Sequence, residues 1–190
     1  MKGIDVVIGG TSEGLLMHSA QGMVKQGVKK NPAKLYDPKE DAEAVAYRND
    51  KGELYVPSRC LKASILNAAA WLKVGKKSLK PIIAGCTRIE PSEIVLTDRK
   101  GKALKEYKID VRRVVVQRAG IMRARPLLKE WQLKFNIIYD ETLIGKTPEE
   151  LAVIKDVLED AGKRIGLLDN RPQKYGENGT FEVIKFLPKR

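Results

Sequence analysis

Residues 109–139, IDVRRVVVQRAGIMRARPLLKEWQLKFNIIY, constrain the fold more than any other stretch. Two strand-like runs, 111–118 and 131–139, flank a turn-rich segment, 119–129, that carries Gly120, Arg123, Arg125 and Pro126. In the second run Trp131, Leu133, Phe135, Ile137 and Tyr139 alternate with Gln132, Lys134 and Asn136. A period of two with one apolar face belongs to an antiparallel strand that packs on a core from one side. The stretch therefore predicts a hairpin with an arginine-studded tip. Arg112, Arg113, Arg118, Arg123 and Arg125 all fall in it, and no acid interrupts them. Guanidinium groups grip phosphate in a forked geometry that lysine cannot reproduce. The purely structural explanation is a charged edge that blocks sheet-to-sheet pairing.

The remaining elements are read by period and punctuation. Ile4, Val6 and Ile8 alternate in an opening strand that Gly9–Gly10 ends, and 15–18 continues it after a break. A polar, lysine-rich stretch over 19–39 follows, long enough to be a ligand-binding loop or disorder. A short helix is expected over 40–47 and a brief strand over 53–56. Leu61, Ile65, Ala68, Ala69 and Leu72 recur at helical spacing, so 57–74 reads as a helix capped by Ser58 and stopped by Gly75. Lys73, Lys76 and Lys77 at its end suit the helix dipole, whereas Arg59 and Lys62 in its first turns oppose it and are the more informative pair. A short helix over 78–85 and a strand-like run over 87–96, interrupted by Pro91 and so read as an edge or loop, come next. Thr147, Pro148 and Glu150 form a capping-box start for a helix over 147–164, and Gly166 ends it. The last strand spans 180–187.

Without the insertions the order is β-α-β-β-α-β, with strands near 3–9, 109–118, 131–139 and 180–187. The expected fold is α+β, ferredoxin-like (RRM-like), with both helices on one face of a four-stranded antiparallel sheet. The first and third strands would be central. The expectation is one domain over 1–190, with insertions at about 10–56 and 75–106 and the basic hairpin between strands two and three.

The stretch LYVPSRCLKASILNAAAW, 54–71, resembles the start of the first helix in the RAMP superfamily, the RNA-binding proteins of CRISPR effector complexes, with Ala63 where the motif has glycine. The hairpin at 112–130 is similar to the thumb of that family's backbone subunit, and the loop 166–179 resembles its glycine-rich loop. The resemblance implies RNA binding through Lys62, the hairpin arginines and the 166–179 loop, which carries Arg171 and Lys174. It also implies head-to-tail assembly along RNA, with other effector subunits as partners.

Charge points the same way. Thirty-six Lys and Arg against 24 Asp and Glu give a net +12, which favours polyanions through counterion release. Aromatics make up only 6% of the chain, so the strand would be held by its backbone with little sequence preference. Tyr36, Tyr47 and Tyr175 are stacking candidates, each equally explained as loop packing. Cys60 and Cys86 lack metal-site spacing, and His18, the sole histidine, reads as a structural residue. No cofactor or metal is called for. Asp37, Glu40 and Asp41 would suit a metal-dependent ribonuclease, but a helix start near 38 explains them better. There is no signal-peptide pattern and no apolar run of membrane-spanning length, so the expected setting is the cytoplasm. The sequence therefore predicts a non-catalytic protein that binds single-stranded RNA, or else single-stranded DNA as an annealing protein, and assembles as a homo-oligomer or filament. Its expected contacts are Arg59, Lys62, Arg112, Arg113, Arg118, Arg123, Arg125, Arg171 and Lys174.

Overall fold

The computed structural model describes residues 1–11, 13–19, 36–74, 76–116 and 118–189. The greater part of the basic loop expected over 19–39, residues 20–35, lies outside the described residues, as does Gly75. Among the described residues the architecture is α+β, with antiparallel sheets and four α-helices.

The main sheet grows from the alternating runs of the first and last thirds of the chain. β1 (Lys2–Gly10) lies one strand in from an edge and pairs with β10 (Gln132–Tyr139) on one side and with the edge strand β11 (Phe181–Pro188) on the other. β10 continues the sheet to β6 (Thr87–Glu90) and β7 (Glu93–Thr97), and β7 pairs with β3 (Tyr55–Pro57). This arrangement is compatible with a ferredoxin-like core, with strands one and three in the middle as expected. The identity of the second strand needs correcting. It is β6 with β7, in the stretch over 87–96 that the sequence marks as an edge or loop, and not 109–118. Pro91 only splits that run, and Ile89, Ile94 and Leu96 still reach the core on alternate positions.

The buried face of the sheet is Ile4, Val6 and Ile8 from β1 with Leu133, Phe135, Ile137 and Tyr139 from β10. Against it pack α2 (Ser58–Ala69), through Leu61, Ile65, Ala68 and Ala69, and α4 (Pro148–Asp160), through Ile154, Val157 and Leu158. Thr147 caps α4 by accepting from the Glu150 N–H at 3.3 Å, while the Glu150 carboxylate reaches back to the N–H groups of Gly145 and Lys146. A π-turn, Ala161–Ile165, extends α4. There Gly162 lies so close to β11 that a Cβ would stand 2.1 Å from the Phe181 carbonyl oxygen, so the position admits no side chain.

The start and length of α2 also differ from expectation. Pro57, not Ser58, is its N-cap, and the Ser58 N–H donates to the Ser92 carbonyl at 2.8 Å. The helix stops at Ala69 because the lysine-rich stretch beyond it closes a hairpin of its own, β4 (Lys73–Val74) against β5 (Lys77–Ser78). No basic residue lies in the last turn of α2, so the dipole does not account for Lys73, Lys76 and Lys77. α3 (Lys80–Cys86) leads into β6.

The arginine hairpin is a separate unit. β8 (Lys108–Val116) pairs along its whole length with β9 (Ala119–Leu128), and β9 also pairs with β2 (Leu15–Leu16) in a second, three-stranded sheet. The segment 119–129, expected as a turn-rich tip, is therefore strand as far as Leu128, and Arg118 stands at the turn before it. Gly120 and Pro126, turn residues by sequence, both lie within β9. Gly120 leaves room for the Arg113 side chain, and Pro126 supplies its carbonyl to the Met17 N–H at 2.9 Å. α1 (Pro38–Ala44) packs beside β9, where the Asp41 carboxylate accepts from the Ala124 N–H at 2.9 Å. No described helix is long and apolar enough to cross a membrane.

Candidate nucleic-acid interface

The register of the hairpin sets which arginines share a face. Arg112 stands directly opposite Arg123, and Asp110 opposite Arg125. Arg113 stands opposite Met122 on the other face. Two like charges facing each other across an antiparallel pair destabilise it unless counter-charge is near. Arg112 has a local partner, the Asp110 carboxylate, 2.9 Å from its Nε. Among the described residues Arg123 has no such partner, and its Nη1 lies 2.6 Å from Nε2 of His18.

That contact joins the hairpin to the segment that follows β2. His18 follows β2, and with Arg59, Arg171, Tyr47, Cys60 and Asp169 it lines a pocket of about 330 Å³. The pocket lies between the first turn of α2 and the loop after the π-turn. The first turn of α2 contains no acid, and Pro57 offers no side-chain cap, so the positive end of the helix dipole is left uncompensated there. Arg59 is exposed on that turn and, among the described residues, has no ion-pair partner. Arg171 donates to the Leu168 carbonyl at 3.0 Å and to Gln173, which holds its guanidinium at the rim. Arginines therefore run from Arg112 and Arg123 on the hairpin, by way of His18, to Arg59 and Arg171 at the pocket.

The groups in the pocket are electrostatically biased. Burial pushes the His18 imidazole below its ordinary 6.5, Arg123 and Arg125 push the same way, and Asp169 and Asp41 oppose them. The neutral ring therefore accepts from Arg123 on Nε2. Burial raises the Cys60 thiol, which keeps it protonated and unreactive.

Two sequence-chosen cations have other work. Arg125 does not project from the tip. It is buried, with Nη1 2.6 Å from the Asp169 carboxylate and Nη2 3.6 Å from Asp110. Lys62 turns inward, where Nζ donates to the Ile83 carbonyl at 2.8 Å and to the Thr87 carbonyl and hydroxyl, tying α2 to the end of α3. Burial accordingly lowers its pKa from 10.5. Arg113 and Arg118 are exposed on the hairpin, Arg118 at its turn with φ of 67°. Lys174 is exposed on a short 3-10 turn, Pro172–Lys174. Asp37 caps α1 through the Lys39 N–H, which is the helix-start reading of that acidic group.

Sequence reasoning missed Asp169 and the bridging place of His18. Nothing local signals either, because Asp169 is 44 residues from Arg125, and His18 is 105 from Arg123.

The loop 166–179 is pinned rather than loose. The Gly179 N–H donates to the Gly14 carbonyl and the Asp169 N–H to Leu16, and the buried Asn178 bonds to Asn170 and to the Glu13 carbonyl.

No protein-family model matches the sequence, and neither does any curated protein. Among solved structures, the chain is similar to one from the cryo-EM structure of the type III-B Cmr-beta complex bound to cognate target RNA. The TM-score is 0.56 at 14% identity. The match covers all of this chain and 61% of that one, so the chain spans less than two thirds of the neighbour's length. The likeness is one of fold alone.

Proposed function

We propose that this chain binds single-stranded RNA without cutting it, as a single RRM-like domain of RAMP type. The observation that carries the reading is the run of cations from the hairpin face to the pocket. Arg112 and Arg123 face each other in register, and His18 links them to Arg59 and Arg171. A phosphate backbone laid along that run relieves the repulsion between the arginines and meets the uncapped end of α2. Arg113, Arg118 and Lys174 extend the contact from exposed positions. Lys62 and Arg125 belong to the support, because their charged groups are turned inward. The neighbour of similar fold comes from an RNA-bound complex, which accords with RNA as the ligand, and head-to-tail assembly of copies beside other effector subunits belongs to the same proposal.

The ribonuclease reading needs a free loop carboxylate, whereas Asp37 caps α1 and Asp41 tethers Ala124. The deciding experiment is a gel shift with matched single-stranded RNA, single-stranded DNA and duplex at two salt concentrations, with negative-stain microscopy of the complexes. Preference for RNA with ordered filaments is expected. Equal affinity for DNA turns the reading into a DNA-binding or annealing protein, and no binding to any of the three overturns it.

A further inference from the structure

An RRM-like sheet ordinarily stacks bases on aromatics of its open face. Here the open face of β1, β10 and β11 presents Asp5, Val7, Lys134, Asn136, Ile138 and Lys185, none of them aromatic. If bases are held at all, the platform must lie elsewhere. Among the described aromatics only Trp71, at 57%, and Tyr175, at 103%, are more than half exposed. Trp71 lies beyond the C-terminal end of α2, about 18 Å along the helix from Arg59.

Tyr175 sits beside the cations. It follows exposed Lys174, and the turn that carries it is closed by its own N–H donating to Pro172 at 3.0 Å and by the Lys174 and Gly176 N–H groups donating to the Arg171 carbonyl. Its φ is 61°, the left-handed region, where a bulky side chain is strained and needs its surroundings to hold it. Those surroundings are firm. Gly176 lies so close to Asn170 that a Cβ would stand 2.0 Å from its carbonyl oxygen, and the Asn170–Asn178 bond braces the same loop. Loop packing, the alternative explanation for this tyrosine, fails because the ring packs on nothing.

We infer that Tyr175 is a stacking platform for one unpaired base of the strand whose phosphates lie at Arg59 and Arg171, an inference that rests on the RNA-binding reading above. A ring on a pinned turn loses little freedom when a base settles on it, and stacking is tolerant of base identity. Lys174 and Arg171 take the flanking phosphates.

The test is fluorescence anisotropy of a labelled single-stranded oligo-adenosine RNA with wild type, Tyr175→Phe, Tyr175→Leu and Tyr175→Gly. Tyr175→Leu should weaken binding about 5- to 150-fold, the range that loss of one stacked base implies. Tyr175→Phe should stay within about twofold, because the ring remains. Tyr175→Gly relaxes the backbone and should still bind as weakly as Tyr175→Leu. The dependence of affinity on salt should be the same for all four, since no phosphate contact is lost. A 2-aminopurine placed in the oligomer should be quenched by wild type and not by Tyr175→Leu. If wild type binds no RNA, the RNA reading fails and the platform fails with it. If wild type binds and Tyr175→Leu binds equally well, the platform alone is refuted.

Discussion

Arg125 Nη1 and the Asp169 carboxylate lie 2.6 Å apart, with the arginine side chain 7% exposed. This pair fastens the hairpin to the loop before β11. The second carboxylate, Asp110, lies 3.6 Å from Nη2, which is ion-pair range and too long for a hydrogen bond. Arg125 Nε has no partner. A buried charge removed from such a cluster leaves its partners uncompensated.

Arg125→Ala should therefore cost about 3 kcal/mol of stability. Urea denaturation measures it. The salt dependence of RNA binding should match wild type, since this guanidinium faces carboxylates and not solvent. A destabilisation under about 1 kcal/mol would mean that the pair is solvated like a surface bridge.

Lys62→Ala should destabilise by about 2 kcal/mol, because an ammonium that donates to two carbonyls and a hydroxyl is withdrawn from the junction of α2 and α3. The family resemblance implied a phosphate contact here instead. The two roles separate cleanly: a structural lysine changes the denaturation midpoint and leaves the salt slope of binding alone.

Arg59→Ala and Arg171→Ala should behave in the opposite way. Each should lower the slope of log affinity against log salt by roughly 0.7 for a single strand, with little change in stability. Titrations at several salt concentrations read the slope. If both variants keep the wild-type slope, the pocket is not in the interface.

His18 gives a pH signature. Its folded pKa lies below 6.5, so as pH falls the unfolded chain takes up the proton first. The stability due to the neutral ring is complete above 6.5 and is lost as pH falls from there through the lowered folded value. The groups facing the ring are Arg123, Arg125, Asp169 and Asp41, with Arg59 and Arg171 across the pocket. His18→Gln keeps an acceptor for Arg123 and removes the titration. Denaturation midpoints at about pH 7.5 and about pH 5.5, either side of the unperturbed value, should differ less in the variant than in wild type.

Local pattern determined much of this protein. The alternation of Ile4, Val6 and Ile8 and of Leu133 to Tyr139 marks two strands whose buried faces need no partner to be recognised. The Thr147–Pro148–Glu150 start and the α2 stripe mark two helices in the same way, because helix caps and periodicity are set by residues a few positions apart. The charge and the arginine run carry the expectation of a polyanion ligand, which the binding experiments test. Pairing was not legible. Nothing in the 109–139 run says that its second arm stops at Leu128 and that the next strand joins β1, since register depends on which chains lie alongside. The same limit applied to the site. Arg123 and Arg125 are two residues apart on one strand face, yet one meets His18 at the pocket and the other is buried against Asp169. Sequence supplies a guanidinium at each position. Only the loop that folds back from later in the chain decides which of them is buried and which reaches the pocket, because burial and ion pairing are properties of neighbours brought together by the fold.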